Sequence, residues 1–211
     1  MSANANISSQ EKKIAVVGTG NVGRALGRAF ARASRPVVFG ARDPGSDKAR
    51  AAADTGVAVK TAAEAVAEAE IVVISLPAAA VPEFIQTVNL SGRVVVDATN
   101  SIRPVDESGA TAFDLLARVP DIRLVKCFNS TGFENMENPA YGDERADMFM
   151  AGDDPEAKAL VRELARDAGF GECHDVGGAS AAPLLEKLAV LWITLSRGEL
   201  GRNFAFKIIK H

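Results

Sequence analysis

Gly18, Gly20 and Gly23 follow the apolar run Ile14-Ala15-Val16-Val17 without a gap, and Arg42 stands close behind a second apolar run, Val37-Val38-Phe39. A strand feeding a G-x-G-x-x-G turn and then a helix is the geometry that a dinucleotide pyrophosphate requires. Gly18 serves the tight turn, Gly20 the close approach of backbone to phosphate, and Gly23 the packing of helix on strand. Thr19, Asn21 and Val22 complete the turn, so their amides join the unpaired N–H groups and helix dipole that face the phosphates.

Arg42 bears on which dinucleotide is bound. An NAD site places Asp or Glu about 20 residues past the first glycine to accept from the adenosine ribose. This chain has Phe39-Gly40-Ala41-Arg42 there. A carboxylate would repel a 2′-phosphate, whereas a guanidinium pairs with it bidentately and stacks on adenine. NADP(H) is therefore expected, with Ala41 and Arg42 at the adenosine and Lys48 adding charge nearby. Asp43 is the nearest acid in sequence, and it weakens the preference if it turns inward.

The elements that must hold these residues are legible on either side. Ala25, Leu26, Ala29, Phe30 and Ala33 give the helix after the turn an apolar stripe. Ile71–Leu76 and Val94–Asn100, the latter with polar residues at its carboxyl end, read as central parallel strands covered on both faces. Ligands in such sheets lie outside the carboxyl ends of the strands, which assigns Ser75, Leu76, Pro77, Thr99 and Asn100 to the ribose and nicotinamide. Arg123–Phe128 is expected as a sixth strand, ending in the small polar groups Asn129, Ser130 and Thr131. These three would position a hydride acceptor, and no general base stands among them. Asp97 is expected to orient a loop.

Further signals mark the connections. Gly45–Thr55 reads as a short helix, residues 57–60 as an edge strand, and Thr61-Ala62-Ala63-Glu64 as a capping-box helix start. Asp154-Pro155 begins another helix, followed by a strand near Cys173–Val176. The fold expected is α/β: a Rossmann-type, doubly wound, mainly parallel sheet with a short C-terminal helical extension. Residues 1–11 read as a flexible tail, 12–177 as the nucleotide domain, and 178–211 as a helix and tail belonging to it. The predicted helix Pro183–Arg197 is apolar nearly all round and must be buried on more than one side, by a homodimer interface or, as the alternative, by the core of its own chain.

Composition narrows the class further. The 211 residues are 47% hydrophobic and 24% charged, with a formal net charge of −3, which suits one globular domain and argues against a nucleic-acid binder. The start lacks the basic and apolar regions of a signal peptide, and no membrane insertion is expected. A cytoplasmic protein follows. Cys127 and Cys173 read as buried free thiols, and His174 and His211 show no ligand spacing, so no metal site is expected. A G-x-S-x-G elbow is absent, which weighs against a hydrolase. The roughly 35 residues after the last predicted strand are too few for a substrate-enclosing domain, so the site is expected to be open. Such a site suits hydride transfer between two cofactors.

The chain resembles the small NADP oxidoreductases that pass hydride between NADPH and the 8-hydroxy-5-deazaflavin coenzyme F-420. The likeness lies in GTGNVGRALG at 18–27, GARDP at 40–44, ISLP at 74–77, AGDDPEAK at 151–158, DVG at 175–177 and GELGRNF at 198–204. It implies NADP at Gly18–Gly23 with Arg42 on the 2′-phosphate, a deazaflavin or a flavin (FMN or FAD) over the nicotinamide, and a dimer through the C-terminal helix. In the segment Lys126–Thr131 that family carries a histidine, where this chain has Asn129. A K-x-F-N version is similar to the cytosolic NADPH-binding domain of membrane metalloreductases, which pass hydride to a flavin. Two other readings stay open: an NADPH-dependent reductase of a small imine or carbonyl compound, which needs a proton donor, and a non-catalytic NADP-binding sensor or partner-binding module.

Overall fold

The computed structural model describes residues 9–210; the first eight residues of the expected tail and His211 lie outside them. Six strands form one parallel sheet in the order β3-β2-β1-β4-β5-β6. They are β1 (Ile14–Val17), β2 (Val37–Ala41), β3 (Val59–Thr61), β4 (Ile71–Ile74), β5 (Val94–Asp97) and β6 (Arg123–Lys126). This is the doubly wound order, in which the chain leaves β1 in both directions and opens a crevice beside its carboxyl end.

Strand alternation builds three layers. Ile14, Val16, Val73 and Val96 point to one face, where they meet α1 (Asn21–Arg32) and α7 (Pro155–Asp167). Ala15, Val17, Val72 and Val95 point to the other, under α3 (Ala62–Ala67), α4 (Val81–Thr87) and α5 (Ala112–Leu116). β1 and β4 are buried along their whole length, which is why they read as continuous apolar runs. Helix starts are set locally: Thr61 and Glu64 close a capping box at α3, and Ser46 caps α2 (Asp47–Ala53). Asp154 caps α7 ahead of Pro155, which fits a residue with no N–H to satisfy.

Beyond β6 the chain forms α6 (Phe133–Glu137), a small hairpin of β7 (Ala140–Tyr141) and β8 (Glu144–Arg145), and a parallel pair of β9 (Met148–Met150) and β10 (Cys173–Asp175). Reciprocal hydrogen bonds between Lys126 and Ala151, 2.8 and 3.0 Å, join this pair to the sheet edge in antiparallel sense. β6 ends two residues earlier than the apolar run suggested. Phe128 sits at φ 62° while fully buried, a conformation that a bulky side chain rarely adopts, and it turns the chain out of the ladder. α8 (Ala182–Ser196) closes the described fold.

Candidate active site

The cleft predicted at the carboxyl ends of the strands is present, with a volume of about 600 Å³. Gly18, Thr19 and Gly20 line it at the turn, Ala41 and Arg42 at the end of β2, Lys48 in the first turn of α2, and Ser75, Leu76 and Pro77 at the end of β4. The glycines show three different constraints. Gly18 sits at φ +110°, and a Cβ at Gly23 would lie 2.0 Å from the Gly18 carbonyl oxygen. A Cβ at Gly20 would meet nothing within 4 Å, leaving room for a ligand against the backbone. Gly20 also begins α1 without any side-chain cap. The first amides of that helix, including those of Asn21, Val22 and Gly23, therefore have no side-chain acceptor at the cap.

Ser75 braces this turn. Its hydroxyl donates to the carbonyl of Val17 at 2.9 Å and lies 3.3 Å from that of Gly18, so it ties β4 to the turn while lining the cleft. At the adenosine end Asp43 is occupied locally, its carboxylate accepting from the Gly45 amide at 2.8 Å. The acid that meets Arg42 is Glu83 of α4, at 3.6 Å. Ser46, Thr61, Phe84 and Thr87 also line this end; the sequence marks Thr61 only as a helix cap and assigns none of the four to the site. The residues present fit NADP(H): an uncapped helix start behind a glycine cradle, and a guanidinium where the ribose phosphate would lie.

The polar rim expected at β5 and β6 is closed, not open. Thr99, Asn129 and Ser130 are buried, because the first turns of α8 lie over these strand ends. Asn129 Nδ2 donates to the Leu185 carbonyl at 3.1 Å and reaches Asn100 Oδ1 at 3.3 Å. Asn129 Oδ1 and Thr99 Oγ1 are buried with no hydrogen-bond partner. The Ser130 hydroxyl lies against the Met148 sulfur, and Thr131 Oγ1 accepts from Asn135 Nδ2 at 2.7 Å. None of Thr99, Asn100 and these three residues lines the cleft.

Beneath them lies an ion cluster that the sequence did not disclose. Lys126 Nζ, fully buried, donates to Asp97 Oδ2 at 2.9 Å, to the Thr99 carbonyl at 2.7 Å and to Glu186 Oε1 at 2.6 Å. Asp97 also accepts from the Thr99 amide at 2.9 Å, and Glu186 from the Ser101 amide at 3.0 Å. Three donors meet three acceptors, so the ammonium is a brace between β5, β6 and α8 with no proton facing the cleft. Asp97 does orient the following loop, as expected, but through this cluster.

Burial pushes the Cys127 thiol well above its usual range, with contact from Cys173 adding to the effect, so Cys127 offers no thiolate nucleophile. The tail packs back as well. Arg202 pairs with both Glu134 oxygens at 2.5 and 2.9 Å and lies over Trp192 and Phe133, 5.1 and 5.6 Å from their ring centres. The same arginine holds the Glu134 carboxyl below its ordinary range. Among the described residues no group of His, Cys, Asp and Glu is placed to hold a metal ion.

The comparisons with known proteins agree with this geometry. Residues 13–101 match the family model described as NADP oxidoreductase coenzyme F420-dependent. The chain is 27% identical to the F420-dependent NADP reductase of Methanothermobacter thermautotrophicus, over 93% of this chain and 94% of that protein. A crystal structure from Arthrobacter sp. FB24, provisionally named an F420-dependent NADP-reductase, superposes with a TM-score of 0.82 at 29% identity, covering 94% of this chain and all of the other. An imine reductase from Pseudomonas sp. shares the fold at 17% identity and a TM-score of 0.68, with 63% of that chain covered. The resemblance read from the motifs is borne out: the family model spans those at 18–27, 40–44 and 74–77, and the alignments with the two reductases extend over most of the chain.

Proposed function

We propose, for an NADP-dependent oxidoreductase with this resemblance to the F420-dependent family, that the second reactant is a deazaflavin or flavin coenzyme lying over the nicotinamide. The observation that carries the reading is the cleft itself: it offers a phosphate cradle, an adenosine end where its titratable groups Arg42, Asp43, Lys48 and Glu83 gather, and at the end of β4 only Ser75, Leu76 and Pro77, none of them a general acid or base. A nicotinamide supplies hydride from one ring carbon, and a deazaflavin or flavin takes it as a flat ring. Such a transfer asks the protein for position and electrostatics alone. Gly18–Gly23 would fix the pyrophosphate, Arg42 and Lys48 the 2′-phosphate, and Leu76 and Pro77 the edge along which the reduced ring lies. An imine or carbonyl substrate would require a proton as well. The lysine near this end, Lys126, is sealed by three acceptors.

Two copies of the chain are proposed to associate through α8. Its Ala182, Leu185, Ala189 and Trp192 face the core, while Leu184 and Leu191 remain 57% and 49% exposed. With Leu188 and Leu195 they repeat at spacings of four, three and four, the pattern of a helix-pairing seam. The segment Ala179–Ser196 has the length and apolarity of a membrane span, but the Lys126–Glu186 ion pair binds it to the sheet. A cytoplasmic location fits these features. The test is a stopped-flow record of NADPH oxidation against coenzyme F420, FMN and FAD. Rapid oxidation by at least one supports the reading, and oxidation by none overturns it.

A further inference from the structure

We infer that Glu83, not Arg42 alone, sets the cofactor preference of this site, by holding the Arg42 guanidinium in the free protein and opposing a 2′-phosphate when it arrives. The inference rests on the reading of Arg42 as the 2′-phosphate contact. Both residues line the adenosine end of one cleft, Arg42 from the end of β2 and Glu83 from α4. Their charged groups stand 3.6 Å apart with both side chains largely exposed, 80% and 73%, so nothing buried fixes them together and a ligand can separate them.

Other acids in the neighbourhood are engaged elsewhere. Asp43 accepts from its own turn at Gly45, Asp47 pairs with Arg50, and Glu64 closes the capping box with Thr61. Glu83 is the carboxylate that reaches the guanidinium. A dianionic 2′-phosphate bound to Arg42 must displace this carboxylate and then sit beside it, two costs that a ribose hydroxyl does not meet. NADH binding breaks no such requirement. Glu83 therefore lowers affinity for NADPH selectively, and it keeps the arginine across the mouth of the cleft when no nucleotide is bound.

An exposed ion pair of this kind is worth up to about fivefold in an equilibrium constant, and less in salt. The experiment measures dissociation constants for NADPH and NADH, and for the fragments 2′,5′-ADP and ADP, with wild type, Glu83→Gln, Arg42→Ala and the double variant, at low and high ionic strength. Glu83→Gln is expected to tighten NADPH and 2′,5′-ADP by about fivefold at low salt, to leave NADH and ADP unchanged, and to lose most of that gain at high salt. In the double variant the gain should vanish, because the guanidinium it acts through is gone. Equal weakening of all four ligands by Glu83→Gln would make Glu83 an adenosine contact and overturn the inference. No change in any ligand, with Arg42→Ala still selective against the phosphorylated pair, would overturn the role of Glu83 and keep that of Arg42. If Arg42→Ala weakens all four alike, the reading of Arg42 falls, and this inference with it.

Discussion

Replacing Lys126 by methionine should detach α8 from the sheet. The ammonium is fully buried and bonded to Asp97, to Glu186 and to the Thr99 carbonyl at 2.6 to 2.9 Å. Without it two carboxylates remain close together, one fully buried and the other nearly so, each retaining one backbone amide donor. Breaking a buried pair from one side costs about 3–5 kcal/mol. For a domain of this size each kcal/mol lowers the melting temperature by about 2–4 °C, so the loss is roughly 6–20 °C. Replacing the whole set at once, Lys126→Met with Asp97→Asn and Glu186→Gln, removes the stranded charges and should recover much of that loss. Trp192 is the sole tryptophan and stacks on Phe204 at 5.2 Å, so its emission reports directly on α8. The assay is a thermal melt followed by both circular dichroism and tryptophan fluorescence. A Lys126→Met melt within about 2 °C of wild type, with unchanged emission, would show that the cluster does not carry this energy.

Two further outcomes test the site and the assembly. Gly23→Ala places a methyl 2.0 Å from the Gly18 carbonyl oxygen, so the turn must move; NADPH affinity is expected to fall at least tenfold, and a near-wild-type constant by titration would contradict the cradle. Wild-type protein should scatter light as a dimer at micromolar concentration, and Leu184→Glu with Leu191→Glu should give a folded monomer; a dimer in that variant would move the interface elsewhere.

The parts of this fold legible in the sequence are those whose causes are local. β1, β4 and β5 announce themselves because both faces are buried, and the starts of α3 and α7 because Thr61, Glu64, Asp154 and Pro155 act within a few residues. The helices α4, α5 and α6 are five to seven residues long and show too few turns for a period to register. α5 nevertheless carried a signal, since Thr111 and Asp114 form a capping box. Long-range pairings had none. Nothing near Arg42 in the chain points to Glu83, and nothing near Lys126 points to Glu186. The rim at Thr99, Asn129 and Ser130 appeared open because its cover, α8, arrives from the far end of the chain, and nothing in the sequence says which strand ends that apolar helix covers.

The central claim is that this cleft passes hydride directly from NADPH to a second flat redox coenzyme. Single-turnover reaction with NADPH deuterated at the nicotinamide C4, followed by mass spectrometry of the reduced deazaflavin, tests it most directly. Deuterium delivered as hydride forms a carbon bond on a deazaflavin and does not wash out into water. Retention of one deuterium in the coenzyme, for the transferred position, is the result predicted here. Deazaflavin turnover that leaves the deuterium in solvent, or no turnover with deazaflavin or flavin at all, would contradict the account.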